Sequence, residues 1–83
     1  MSTETVAAHR LCDLGLGELG VIDRLELPEA DARRLMELGF LPGSTVSRRR
    51  RSPLGGPDVF RIDDAEIALR SETAARVILR ETP

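Results

Sequence analysis

Gly39, Pro42 and Gly43, followed by Pro53, Gly55, Gly56 and Pro57, cut the middle of this chain into short pieces. Glycine tolerates left-handed backbone, while proline fixes φ and lacks an N–H, so clusters of the two mark turns. From Arg34 to Pro57 the order reads as the end of a helix, a glycine stop, a Pro-Gly turn, a strand and a second turn. Almost nothing in the stretch can do chemistry. What it dictates is architecture: short elements, frequent turns, and a core assembled from many small contributions.

The flanking sequence fits that plan. A short turn is expected over 9–13. Residues 19–27 read as a strand, with Val21, Leu25 and Leu27 on one face at period two and Ile22 breaking the alternation. Pro28 suits the first turn of a helix, and Glu29 and Asp31 suit its positive end. Ala32, Leu35 and Met36 then repeat at helical spacing as one apolar stripe. Gly39 falls where a left-handed cap belongs, and Pro42-Gly43 fits the centre of a type II turn. Strands are expected at 45–51, 59–63 and 66–70. A capped helical turn at 71–74 and a last strand at 77–79 follow. The fold class is therefore mainly β: a small barrel of about five strands, one inserted α-helix and a short helical turn before the last strand.

At 83 residues the chain is one domain, and a domain of this size buries only about 60–65% of its unfolded surface. Residues 1–8 read as a disordered N-terminal tail and 9–83 as the domain. Hydrophobic residues reach 41%, enough for a core, but aromatics are limited to Phe40 and Phe60. All 12 basic residues are arginine, and the net charge is −2. Such a balance offers no global basic field for nucleic acid or anionic lipid. No apolar run approaches the ~18 residues of a membrane span. The polar N-terminus is unlike a secretory leader, so the expected location is cytoplasmic.

Catalytic constellations are absent from the sequence. One His and one Cys give no nucleophile–base spacing, and Gly15-x-Gly17-x-x-Gly20 lacks the strand before it and the helix after it that a dinucleotide loop needs. No enzyme activity and no required cofactor are expected. His9 and Cys12 are weak metal candidates, at best a half-site for adventitious Zn²⁺ or Fe²⁺, because structural zinc takes four ligands.

The run Arg48-Arg49-Arg50-Arg51 is the most conspicuous charge block. Pairing Val46 with Ile62 would set Arg50 opposite Asp58, with Arg49 and Arg51 on the other face. Arg48 would share the side of Val46, Phe60 and Ile62, its stem covering the barrel end and its head reaching water. A phosphate-contacting strand is the alternative use of the run, opposed by the overall acidity and the lack of aromatics for stacking. Leu54, at the tip of Pro53-Leu54-Gly55-Gly56-Pro57, either closes the barrel end or serves as an apolar docking knob.

Taken together, the ordered residues resemble a known family. Gly17-Glu18-x-Gly20-Val21-Ile22, Arg34-Leu35-x-x-Leu38-Gly39-Phe40-x-Pro42-Gly43, Pro53-Leu54-Gly55-x-Pro57 and Ile67-Ala68-Leu69-Arg70-x-x-x-Ala74 are similar to FeoA, over about residues 11–80. Arg48 and Arg49 depart from it, standing at strand positions that are usually apolar in the family. The resemblance implies an SH3-like β-barrel with the inserted helix. It also implies a cytoplasmic accessory role in bacterial ferrous iron uptake, binding and regulating the FeoB transporter through its cytosolic GTPase domain. Contact with the membrane would then run only through that partner. The expected contact surface is Leu54, Gly55 and Pro57 with Arg50 and Arg51, while Gly39, Pro42 and Gly43 are structural turns. A weak homodimer, a nucleic-acid module using the Arg48–Arg51 strand, and an iron carrier using His9 and Cys12 complete the expectations. Nucleic acid is not the expected partner.

Overall fold

The computed structural model describes residues 10–80. The tail expected over 1–8, and His9, lie outside the described residues. A 3-10 turn at Leu11–Asp13 leads to strand β1 (Leu19–Leu25), helix α1 (Glu29–Glu37), and strands β2 (Thr45–Arg50), β3 (Asp58–Ile62) and β4 (Ala65–Leu69). A single helical turn α2 (Ser71–Ala74) and strand β5 (Val77–Leu79) follow. The strands form one antiparallel sheet in the order β4-β3-β2-β1-β5, with β4 and β5 at its edges. This is the mainly β plan with one inserted helix that the turn signals anticipate, hydrogen-bonded as a curved open sheet.

The glycine and proline punctuation acts as expected. Gly39 takes φ +109, its N–H reaches the Met36 carbonyl, and the Phe40 N–H reaches that of Leu35. Together these form a Schellman cap, and its apolar partners Leu35 and Phe40 are both buried. Gly43 takes φ +92, and the Ser44 N–H closes the turn on the Leu41 carbonyl at 2.9 Å. A left-handed backbone costs an L-residue about 1–2 kcal/mol, so glycine is dictated at both places. Pro28 sits at the N-cap of α1, one position earlier than the first turn.

Straight alternation fails at two bulges. In β1 the pairing with β5 shifts register between Ile22 and Arg24. Ile22 is therefore fully buried before the shift, while Leu25 and Leu27 pack on the core after it. The residue expected to break the pattern is a centre of the core. In β2 the pairing with β3 shifts between Arg48 and Arg50. Val46 does pair with Ile62, but Arg50 then stands opposite Val59 rather than Asp58. An extra residue on one strand resets the alternation beyond it. On α1 only Leu35 is buried; Met36 is 38% exposed and is not part of the core.

Candidate functional site

Arg48 organises one end of the sheet. It shares the inward face with Val46, and its side chain is 2% exposed. The expectation that its head reaches water is overturned: the guanidinium finds partners inside. Nε donates to the Leu14 carbonyl at 2.6 Å, and Nη2 donates to the Cys12 carbonyl at 2.8 Å. Nη1 donates to Asp58. The guanidinium carbon also lies 5.0 Å from the centroid of the Phe60 ring, within cation–π range. A buried charge is tolerated only when paired and hydrogen-bonded, and each of its three nitrogens has an oxygen acceptor.

Asp58 carries the link onward into the loop. One carboxylate oxygen takes the Arg48 guanidinium, and the other accepts the Ser52 N–H at 2.7 Å. Ser52 in turn accepts the Gly56 N–H on its hydroxyl at 3.0 Å. The Ser52 N–H, and secondarily Arg48, hold the Asp58 carboxyl below the usual aspartate range despite its partial burial. A Cβ at position 56 would lie 2.9 Å from the Ser52 hydroxyl oxygen, so a larger residue there would have to displace that hydroxyl. One guanidinium thus joins the N-terminal segment, β2 and the loop 51–57.

The loop displays the residues that the sequence singled out. Leu54 is 94% exposed at the tip, next to Gly55 at φ +75. Of the two outcomes open for Leu54, closing the barrel end is excluded by that exposure. Pro57, Arg50 and Arg51 are exposed as well. Among the described residues neither Arg50 nor Arg51 makes an ion pair, whereas Arg49 approaches Glu66 at 3.8 Å. The four-arginine run is therefore not one surface. Sequence reasoning missed Asp58 and Ser52 as the loop's brace; it set Arg48 on the side of Val46, Phe60 and Ile62, where it lies, but sent its guanidinium to water. The available signal was a charged residue at an inward position, flanked by Val46 and facing Phe60.

Cys12 is half-buried, with its thiol 3.7 Å from Asp13 Oδ1. Burial, and then the Asp13 charge, push that thiol above its ordinary range, which disfavours the thiolate that metals and electrophiles need. Among the described residues no group of three or more His, Cys, Asp or Glu side chains is placed to hold a metal ion. No helix among them is long and apolar enough to cross a membrane.

This braced five-stranded frame belongs with a sequence match to the FeoA domain over residues 9–81. The chain belongs to the FeoA family. It is 37% identical over 68 residues to the Fe(2+) transport protein A/Fe(2+) transporter FeoB fusion protein of Porphyromonas gingivalis. That match takes in 82% of the chain but only 8% of the fusion protein. Among solved structures it is similar to Stenotrophomonas maltophilia FeoA complexed with zinc, a prokaryotic SH3 domain protein considered as a ferrous iron transport activating factor. The two share 34% identity and a TM-score of 0.75, covering 88% of this chain and 91% of the other. The iron(II) transport protein A of Clostridium thermocellum gives 30% identity and a TM-score of 0.80, over 87% of this chain and 44% of the other. The FeoA fold is SH3-like, as the family resemblance implied.

Proposed function

We propose that this FeoA-family chain is a non-enzymatic module. It docks on the cytosolic part of a FeoB-type ferrous iron transporter and regulates it through the GTPase domain there. The observation that carries the reading is Leu54, 94% exposed on a loop braced by Asp58 and Ser52. Apolar anchors at the centre of an interface supply most of its binding energy, and Arg50 and Arg51 beside the loop suit an acidic rim. The fused arrangement in Porphyromonas gingivalis supports the choice of partner, because fusion holds two modules at high effective concentration.

A pull-down of the transporter's cytosolic domain by the full chain, with and without GTP and Fe²⁺, tests the proposal. Retention of the domain is expected. Absence of retention under every condition would overturn it.

Nucleic-acid binding through the arginine strand is disfavoured by the burial of Arg48 and the approach of Arg49 to Glu66. Affinity for DNA or RNA that falls steeply with salt would revive it.

A further inference from the structure

We propose that β4 is a self-association edge, which pairs antiparallel with β4 of a second copy of this chain.

The two edges of the sheet differ. The β1–β5 pairing is interrupted by a bulge, and the outer side of β5 is bridged by Arg10 at Ile78. β4 has β3 as its one neighbour, and that pairing runs unbroken from Asp58/Leu69 to Ile62/Ala65. It has no bulge, proline or lysine, three of the devices that blunt an edge, and Glu66 is its one charged residue.

Asp63 and Asp64 form the two-residue turn between Ile62 and Ala65, so that flanking pair exchanges hydrogen bonds. Alternation along the ladder then assigns the same to Phe60/Ile67 and Asp58/Leu69. Glu66 and Ala68 consequently turn their N–H and C=O groups outward, to the open edge.

An antiparallel register centred on Ile67 matches these groups to themselves. Glu66 meets the second copy's Ala68, and Ala68 meets the second copy's Glu66, each pair exchanging both of its bonds. All of β4 is used, Ala65 to Leu69 against Leu69 to Ala65. Just beyond its ends, Arg70 falls opposite the second copy's Asp64, and Asp64 opposite the second copy's Arg70. Both residues are exposed and neither makes an ion pair among the described residues. Sliding the register toward Glu66 sets that carboxylate opposite itself, which is unfavourable. Sliding it the other way, to centre on Ala68, pairs Glu66 with the second copy's Arg70, whose carbonyl already accepts the Ala74 N–H of α2. On the inner side, Ile67 lines a groove of about 290 Å³ with Leu27, Leu35 and the half-exposed Leu38. The chosen register brings Ile67 against its own counterpart there.

Sedimentation equilibrium of the full chain, from about 10 µM to about 1 mM, reads the association, since so short an interface gives a weak dimer. Ala68→Pro deletes one outward N–H, a change that edge strands tolerate, and a thermal melt checks that the variant folds. It is expected to be monomeric. Arg70→Asp is expected to weaken the dimer by about tenfold, because both symmetric pairs become repulsive. Asp64→Arg combined with Arg70→Asp is expected to restore it. A chain that stays monomeric throughout would overturn the proposal. So would a dimer indifferent to these changes, or a charge reversal that the second swap fails to rescue.

Discussion

Arg48 and Asp58 form the ion pair from which the loop between β2 and β3 hangs. They pair across a bulge, so neither is the residue that straight strand alternation places opposite the other. Arg48 is almost fully buried, and its remaining donors serve the Cys12 and Leu14 carbonyls. Truncating it leaves two carbonyls and a carboxylate without their partner. Breaking a buried pair in this way costs about 3–5 kcal/mol. Arg48→Ala should lower stability by that amount in urea unfolding. Arg50→Ala, at an exposed position two residues on, should stay within about 0.5 kcal/mol of the parent.

Asp58 also sets a pH dependence. Its folded carboxyl titrates below the unfolded value of about 3.9, so the folded state binds the proton more weakly. The stability this contributes is fully present above the unfolded value. It is lost as pH falls from there through the lower folded one. Unfolding measured between about pH 2 and pH 5 should show a loss in the parent that is much smaller in Asp58→Asn.

Leu54→Asp separates docking from folding. The side chain is almost wholly exposed, so the melting temperature should not move. Affinity for the transporter's cytosolic domain should fall at least about tenfold if Leu54 is the anchor, or about 1.4 kcal/mol. Calorimetry of both variants reads the difference; equal affinity would sink the loop-tip contact while leaving the partner in place.

Leu35 and Met36 lie side by side on α1 yet should behave differently. Leu35→Ala removes a buried side chain beneath the Schellman cap and should cost about 2–5 kcal/mol. Met36→Ala, at a 38% exposed position, should cost well under half of that. Chemical denaturation of the two variants distinguishes them.

The local frame was legible because its signals are local. Gly39 and Gly43 announce left-handed backbone, and Pro42 fixes the turn between them; each acts within a few residues. The element order followed from these stops. What escaped were consequences of long-range pairing. No nearby residue reports that β1 shifts at Arg24 or β2 at Arg50, so Ile22 and Arg50 were assigned by an alternation that the bulges reset. The side that Arg48 takes is legible from the pairing of Val46 with Ile62, but its head reads as solvated because a guanidinium ordinarily ends in water. Its acceptors, two main-chain carbonyls from the segment before β1, cannot be seen until the sheet is folded. The exposure of Leu54 was one of two open outcomes, since a loop tip can fold back or stand out with the same sequence.

The hydrogen bonds within the loop bear on the kinetics of recognition. Ser52, Gly56 and Asp58 already fix its shape in the free protein, so its ordering entropy is spent in folding rather than at encounter. A partner meets a finished surface. Capture should then proceed without a conformational delay, and the lifetime of the complex, not the speed of its formation, would set how tightly the two proteins hold.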